Sequence, residues 1–366
     1  LVIISVIKSL INLLYLNFFL LLNKKKKIIF FYHPRKELTL IHTYYFEDLF
    51  NKFSKDYKIF YGHICDGTIG KNYFYIKERF LKYLFNVDFF LSNNICDNFT
   101  KKSLKIYFHH NIYDDPWVSS EKEKTMCNRL TKYDLIFVAS EKSQLKVSEM
   151  FKKYDFKNVP KIVETGYIKL DYILKNFKSE IDTQKEAILI APTEFEGFPE
   201  LSMKNKIQNI IEILLTNTNK KIILRPHPRN RKHKTFIQIK DEYFNNDRFI
   251  FDDSENYIKT YTRSDLMITD MSGTAYTFAF ISLCPIIFFS ISEDYLKQNK
   301  YNSYSFYKNR EIVGKIIFKE NDLINKIDYL MLNKIEFKNK IKNLRGEMKY
   351  YNKSTERIIN IFNSFN

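Results

Sequence analysis

Short, unbroken apolar segments alternate with helical patterns along most of the chain, and this feature constrains the fold more than any other. Examples are the segments IIFFY, DLIFVAS, AILIAPT and CPIIFFS. Strands that are apolar throughout, without alternating polar positions, are typical of a parallel sheet that helices cover on both faces. The sequence therefore predicts an α/β fold built from doubly wound, Rossmann-like parallel sheets.

The alternation occurs twice, which predicts two such domains facing a central cleft. Strands are predicted at 28–32, 58–62, 87–92, 104–109, 134–140 and 161–166, then at 187–193, 221–228, 248–253, 265–270 and 284–290. Helices are predicted in the first half at 40–53 and 73–85, and the polar, aperiodic stretch 176–185 is a predicted linker. The predicted ranges are an apolar membrane-associating helix (1–24), an acceptor domain (25–178), a nucleotide-donor domain (186–334) and C-terminal helices (335–366). In such folds the ligand binds outside the carboxyl ends of the strands.

The first 22 residues are almost entirely apolar, and a run of lysines, Lys24–Lys27, follows at once. A helix of that length reaches about 33 Å and is long enough to span a bilayer. Yet Ser5, Lys8, Ser9 and Asn12 recur at helical spacing and form a polar stripe, which favours a helix lying in the membrane interface. No small-residue cleavage site follows, so a cleaved signal peptide is not favoured. We expect a location at the cytoplasmic face of the cell membrane, peripheral or N-terminally anchored; the alternative is a helix packed on the protein itself.

The formal charge of +17 limits the kinds of partner. Lysine is abundant together with Asn, Ile, Phe and Tyr, as in proteins from AT-rich genomes, so the charge does not by itself predict nucleic-acid binding. An anionic membrane surface and phosphorylated donors remain the expected anionic partners. The four cysteines, Cys65, Cys96, Cys127 and Cys284, show no metal-ligand spacing and are predicted to be buried in a reducing compartment.

Cationic side chains follow one predicted strand directly. The segment KIILRPHPRN places Arg225, His227 and Arg229 just after the strand, and its two prolines fix the local backbone. Guanidinium groups bind phosphate oxygens bidentately, and an imidazole can donate to a leaving oxygen. The segment therefore predicts a diphosphate site; the alternative is a rigid loop with solvated arginines.

A second segment, DLMITDMSGTAYTFAF, ends a strand at Asp270 and opens a helix at Ser272, Gly273 and Thr274. Backbone N–H groups at a helix start form a ready phosphate site, although an ordinary helix cap is the alternative. Further polar residues, Asp252, Asp253 and Ser254, follow another strand of the same predicted sheet. Together these strand ends predict a site for a nucleoside-diphosphate donor.

Two histidines, His109 and His110, end a strand of the first half, and one of them is the predicted general base toward an acceptor hydroxyl. Successive strand residues point to opposite faces, so only one of the two reaches the site. The chain contains no Asp-x-Asp, no GxxxxGK[ST] and no GxGxxG after a strand. We therefore expect a metal-independent transferase that needs no cofactor besides its nucleotide donor.

Five segments, in order, resemble the CDP-glycerol glycerophosphotransferase family, which contains the teichoic-acid polymerases and primases. They are ETGYIKLD (164–171), AILIAPTEFEG (187–197), LRPHP (224–228), TDMSGTAYTFAF (269–280) and MKYYNKSTERIINI (348–361). The resemblance implies the GT-B glycosyltransferase fold. It also implies that His227 and the helix start at Ser272 contact the donor pyrophosphate, and that His110 corresponds to the base in the family's His-Gly motif.

The chain departs from the family pattern at Asn111, at Gly273 and at Thr193-Glu194-Phe195. The first hypothesis is transfer of glycerol phosphate from CDP-glycerol to a glycan or lipid-linked acceptor. The second is a glycosyltransferase that uses a UDP- or CDP-sugar in capsule or surface-polysaccharide synthesis. The departures keep a third hypothesis open, a non-catalytic, membrane-attached GT-B scaffold.

Overall fold

The protein forms two compact units. The computed structural model describes residues 2–22, 26–34, 44–64, 72–109, 111–113, 120–179, 185–197, 199–255, 257–299, 301 and 304–365. Unit 1 comprises Leu1–Asn111, Ser119–Tyr172 and Asn352–Asn366, and unit 2 comprises Ile112–Val118 and Ile173–Tyr351. The four ranges predicted from the sequence, 1–24, 25–178, 186–334 and 335–366, stay a prediction.

Unit 1 is built on a parallel sheet, as predicted. Its described strands are β1 (Lys27–His33), β2 (Tyr57–His63), β3 (Tyr73–Tyr75), β4 (Phe89–Ser92), β5 (Leu104–Phe108), β6 (Leu135–Val138) and β7 (Lys161–Glu164). They are ordered β3-β2-β1-β4-β5-β6-β7. Its helices are α1 (Val2–Leu22), α2 (Glu47–Phe53), α3 (Ser120–Leu130), α4 (Glu141–Lys153), the first part of α5 (Ile168–Ser179), and α15 (Ser354–Asn363).

Unit 2 contains a second parallel sheet. Its described strands are β8 (Ala187–Ile190), β9 (Lys221–Leu224), β10 (Phe249–Phe251), β11 (Ser264–Thr269), β12 (Ile286–Phe289) and β13 (Gly314–Ile317), ordered β10-β9-β8-β11-β12-β13. The helices are α6 (Ile207–Asn217), α7 (Lys234–Glu242), α8 (Ile258–Arg263), α9 (Thr274–Ser282), α10 (Glu293–Gln298), α11 (Ser305–Lys308), α12 (Arg310–Val313), α13 (Leu323–Leu332) and α14 (Lys334–Gly346). Strands β8, β11 and β12 are buried along their whole length, which explains their unbroken apolar runs.

The strand order of each sheet reverses direction once. In unit 1 the reversal lies between β1 and β4, and in unit 2 it lies between β8 and β11. Loops that leave neighbouring strands at such a point diverge and leave a crevice, which is where open α/β sheets bind ligands. In unit 2 the predicted phosphate-binding segments follow β9 and β11, the two neighbours of β8.

The structure differs from the local predictions at three places. The helix predicted at 73–85 is instead the short edge strand β3 followed by a 3-10 helix, Glu78–Tyr83, because Tyr73 stacks on Tyr61 of the neighbouring strand at 4.4 Å. Strand β13 was missed; it approaches β12 so closely that a Cβ on Gly314 would lie 1.7 Å from the Ile286 carbonyl oxygen. The start of the predicted linker is helical, since α5 continues to Ser179.

Helix α1 is the predicted N-terminal helix, and its polar stripe contacts unit 1. Ser9 Oγ accepts a hydrogen bond from the Lys77 N–H at 2.9 Å, and Asn12 Nδ2 donates to the Tyr75 carbonyl at 3.1 Å. Asn17 donates to a further backbone carbonyl, and Leu13, Leu16 and Leu20 join the apolar core. By length and composition, α1 could cross a membrane, and it is the one such helix among the described residues.

The opposite face of α1 is exposed and apolar. Its exposed large side chains are Ile3, Ile4, Ile7, Leu10, Ile11, Leu14, Tyr15, Phe18, Leu21 and Leu22. An exposed apolar face of this length is unusual on a monomeric soluble domain.

Candidate site for donor phosphates

The carboxyl ends of β9, β8 and β11 lie side by side in unit 2. Neighbouring strands are about 4.8 Å apart, so the ends of β9 and β11 are roughly 10 Å apart. His227 lies three residues beyond Leu224, the last residue of β9, and Ser272 lies three residues beyond Thr269, the last residue of β11. The fold therefore places the two predicted phosphate-binding segments at the same edge, on either side of the β8 loop.

Arg225 is held within this edge by a network of hydrogen bonds. Its Nη1 lies 2.6 Å from Asp252 Oδ2 and donates to Ser254 Oγ at 3.2 Å, while Nη2 donates to the Ser254 carbonyl at 2.9 Å. Burial raises the pKa of Asp252, but the Arg225 charge and the hydroxyls of Ser254 and Thr260 outweigh it and hold that pKa below its usual range. Much of the Arg225 charge is thus balanced by Asp252, and its contact with phosphate stays a prediction.

The neighbouring Asp253 points elsewhere. It is exposed, and its carboxylate lies 3.5 Å from Lys240 Nζ on α7. The structure brings Ser254 to Arg225 but pairs Asp253 with a different cation, so donor binding by Asp253 stays a prediction without a structural contact to support it.

His227 caps the 3-10 turn that follows it, Pro228–Asn230. Its Nδ1 accepts from the Arg229 N–H at 3.4 Å. A neutral imidazole that accepts at Nδ1 carries its proton on Nε2, and that N–H is suited to donate to a phosphate oxygen. The guanidinium of Arg229 is exposed and lies 3.9 Å from Glu194 Oε2. This segment thus presents an imidazole donor and a solvent-accessible cation.

Helix α9 begins where the sequence places its start, with Gly273 at the N-cap position and no acidic residue in the first turn. Ser272 Oγ accepts from the Thr274 N–H at 3.4 Å, and the Thr274 hydroxyl is bonded to Tyr261. The Ala275 N–H donates to the Ser272 carbonyl at 3.0 Å, whereas the long Ser272 Oγ contact leaves the Thr274 N–H weakly capped. Such a helix start attracts anions.

Asp270 is only 5% exposed, and backbone N–H groups surround its carboxylate. Oδ1 accepts from Thr193 and Met271 at 2.8 Å each, and Oδ2 accepts from Met203 at 3.1 Å. Burial raises the pKa of Asp270 to about 6, against the opposing effect of these hydrogen bonds. Binding of the nucleotide donor by Asp270 stays a prediction. The hydrogen bonds of its carboxylate come from backbone N–H groups of unit 2.

The predicted base lies at the end of β5 in unit 1. His109 is half-buried, its backbone N–H donates to the Phe137 carbonyl at 2.9 Å, and its Nδ1 lies 3.3 Å from the Asn111 carbonyl oxygen. Since a carbonyl only accepts, Nδ1 carries the proton and the lone pair of the neutral ring is on Nε2. His110 lies outside the described residues, so the choice between the two histidines stays a prediction.

Within the part of the chain that the structure describes, no group of three or more His, Cys, Asp or Glu side chains is placed to hold a metal ion. Cys96, Cys127 and Cys284 are free and buried, as predicted, and Cys65 lies outside the described residues.

Two residues of the site were missed from the sequence. Glu194 folds back on its own loop, where it accepts from Glu196 N–H at 3.0 Å and Gly197 N–H at 2.8 Å. Asn230 is buried, and its Oδ1 accepts from the Phe195 N–H at 3.1 Å. An asparagine in a loop gives no signal of such a contact, because its partner lies 35 residues away in the sequence.

The sequence profile of the CDP-glycerol:poly(glycerophosphate) glycerophosphotransferase family matches residues 108–363. No curated protein sequence matches the chain. The structure is similar to that of the wall teichoic acid polymerase TagF, with a TM-score of 0.66 and 17% identity over 93% of this chain and 89% of that one.

Two further solved structures extend the comparison. A TagF variant with asparagine in place of a histidine, soaked with CDPG, has a TM-score of 0.64 and 17% identity over 93% of this chain and 88% of that one. UDP-GlcNAc 2-epimerase from Methanocaldococcus jannaschii has a TM-score of 0.58 and 15% identity over 93% and 99%. These likenesses confirm the predicted GT-B fold.

Proposed function

Because the chain belongs to the CDP-glycerol:poly(glycerophosphate) glycerophosphotransferase family, we propose that it transfers glycerol phosphate from CDP-glycerol to a hydroxyl of a surface-glycan or lipid-linked acceptor. The observation that carries the proposal is the edge of unit 2, where His227, Arg229 and the start of α9 follow strands on either side of β8. The CDPG soaked into the TagF variant supports the choice of donor.

The reaction needs one bond to form and one to break. The acceptor oxygen attacks the phosphorus that carries glycerol, and the bond from that phosphorus to the bridging oxygen breaks, so CMP leaves with the electron pair. Negative charge grows on the leaving phosphate, where the His227 Nε2–H, the Arg229 guanidinium and the N–H groups at the start of α9 stabilise it. These groups supply the charge that a metal ion provides in other transferases, and the proposed reaction is metal-independent.

His110 is the proposed general base, and it takes the proton of the acceptor hydroxyl as the oxygen attacks. The tautomer of His109, with its proton on Nδ1, gives that residue a basic nitrogen too. Separate replacement of each histidine decides between them, since loss of the base lowers kcat while loss of a neighbouring structural histidine lowers stability instead.

The test is release of CMP from radiolabelled CDP-glycerol in the presence of candidate glycan and lipid-linked acceptors. We expect release by the unaltered protein, and little release by His110→Ala or His227→Ala. His233→Ala is the matched control, because His233 lies in the same loop but caps α7 through its Nδ1, which accepts from the Thr235 N–H at 3.2 Å. Equal release by all four proteins would contradict the proposed roles.

A second candidate is glycosyl transfer from a UDP- or CDP-sugar. The similarity to UDP-GlcNAc 2-epimerase and to a Staphylococcus aureus MnaA–UDP structure (TM-score 0.60) supports this alternative. At equal concentration, the ligand that binds the folded state more tightly raises the unfolding temperature more. A larger rise with a nucleotide-sugar than with CDP-glycerol would favour the sugar as donor.

We further propose that the enzyme lies on the cytoplasmic face of the membrane through the exposed apolar face of α1. The polar stripe of the helix is bonded to unit 1 through Ser9, Asn12 and Asn17. A helix surrounded by lipid would lose these hydrogen bonds at a cost of several kcal/mol. The contacts therefore support a helix that lies in the interface over one that spans the bilayer.

The surroundings of α1 fit the same placement. Tyr83, the last residue of the 3-10 helix, and Phe85, just after it, are hydrogen-bonded to Asn17 through their backbones, and their exposed side chains extend the apolar surface. Lys8 and Lys58 lie over the rings of Tyr75 and Phe19 along the helix. Aromatic rings and lysines beside an apolar face are the composition that membrane interfaces favour.

A further inference from the structure

We propose that Asn230 and Asp270 are positioning residues that clamp the β8 loop, Thr193–Phe195, between the two phosphate-binding segments and so fix the distance between those segments. The inference rests on the proposed function for the identity of the donor. Neither side chain is needed for contact with the donor, and both act through the loops that they join.

The first link of the clamp joins the β8 loop to the turn before α9. Asp270 Oδ1 accepts from the N–H of Thr193 and from that of Met271, each at 2.8 Å. Ser272 and the start of α9 follow Met271 directly. Oδ2 accepts from Met203, which also ties the segment before α6 to this point. The carboxylate thus sets where the α9 end of the site lies relative to the β8 loop.

The second link joins the same loop to the segment that carries His227. Asn230 is 4% exposed, and its Oδ1 accepts from the Phe195 N–H at 3.1 Å. The Asn230 backbone N–H donates to the His227 carbonyl at 2.8 Å, closing the turn in which His227 and Arg229 lie. A path of hydrogen bonds therefore runs from the His227 turn, through the β8 loop, to the start of α9.

The distance between the two phosphate-binding segments explains why this path of hydrogen bonds matters for donor binding. A diphosphate bridging two binding elements about 10 Å apart is held well only if their separation is fixed. The loop after β8 is the one that lies between them, and Asn230 and Asp270 hold it from opposite sides through buried contacts. Such preorganisation lowers the cost of ordering the loops when the donor binds.

The test uses Asn230→Ala, Asp270→Ala and the double variant, with KM for CDP-glycerol and the calorimetric Kd of CDP as readouts. We expect each single change to raise both constants by about 10- to 100-fold. Because the two links act in series, breaking one already releases the loops. The double variant should then be no more than about twofold weaker than the weaker single variant.

Two variants separate positioning from stability. Asn230→Asp keeps an acceptor oxygen for the Phe195 N–H, and we expect its KM for CDP-glycerol and its Kd for CDP to stay close to those of the unaltered protein. Asp265→Asn changes a second buried carboxylate of β11, at the opposite end of the strand, where it lies 2.5 Å from Lys220 Nζ. We expect Asp265→Asn to lower the unfolding temperature and leave both constants unchanged.

Several results would overturn the clamp. They are multiplying effects in the double variant, single variants with unchanged constants, an Asp265→Asn variant that weakens CDP binding as much as Asp270→Ala does, and CDP binding by Asn230→Asp that is as weak as that of Asn230→Ala. If CDP binds but CDP-glycerol is not turned over, the proposed function fails while the Kd values still decide on the clamp. No binding of CDP by the unaltered protein would overturn both.

Discussion

Replacing the exposed apolar side chains of α1 should release the protein from lipid without unfolding it. Ile11, Leu14 and Phe18 are 60%, 69% and 61% exposed, and they lie on the face opposite the hydrogen bonds to unit 1. Full burial of such a side chain is worth roughly 1.5–3 kcal/mol. The exposed part therefore contributes about 1–2 kcal/mol each when lipid covers it.

Together the three side chains account for roughly 3–6 kcal/mol of membrane affinity. The triple change Ile11→Ser, Leu14→Ser and Phe18→Ser should then lower the partition coefficient by a factor between about 100 and about 20,000. The assay is co-sedimentation with phosphatidylcholine vesicles that contain a minor fraction of phosphatidylglycerol. Because the side chains are exposed in the folded protein, the unfolding temperature in the absence of lipid should change little.

The matched control places three serines at Phe244, Leu332 and Ile335, which are at least as exposed and lie in unit 2. We expect this control to sediment with vesicles like the unaltered protein. Equal loss in both triple variants, or no loss in the α1 variant, would refute the reasoning that this helix face contacts lipid.

Three further results are expected. His227→Ala should lower kcat by roughly 100- to 1000-fold, as measured by CMP release, with folding of the variant checked by calorimetry, because the imidazole stabilises the leaving phosphate. Arg225→Ala should lower the free energy of unfolding by roughly 1–3 kcal/mol, measured in denaturant, because it leaves the half-buried carboxylate of Asp252 without its cation, although Ser254 and Thr260 still donate to it; lost activity at full stability would contradict this. Asp270 has a pKa raised by burial from 3.8 to about 6, so its ionisation opposes folding as the pH rises through that window. The stability of the unaltered protein relative to Asp270→Asn should therefore fall by up to roughly 3 kcal/mol between pH 4 and pH 7, and a difference independent of pH would contradict the buried titration.

Much of the fold could be predicted from the sequence because it depends on local patterns of apolar and polar residues. Strands such as β6 and β12 are apolar at every position since both faces of the sheet are covered, and that periodicity is visible without a structure. The start of α9 was predictable for the same reason: a strand that ends in Asp270 and turns through Ser272 and Gly273 has a local signature. Strand β3 was missed because its pairing with β2 and its cover by α1 come from distant parts of the chain.

The candidate site was predictable in its position but not in its contacts. Strand ends gave the location of Arg225, His227 and Ser272, since parallel strands share one edge. Which of these groups is balanced by a carboxylate depends on partners 27 or more residues away, such as Asp252 for Arg225. Asn230 and the β8 loop are likewise joined by a single long-range hydrogen bond, and no spacing in the sequence reveals it.

A crystal structure of the protein with CDP-glycerol tests the central claim most directly. We expect diphosphate oxygens within about 3 Å of His227 Nε2 and of N–H groups at the start of α9. A diphosphate bound beyond hydrogen-bonding reach of both would contradict it.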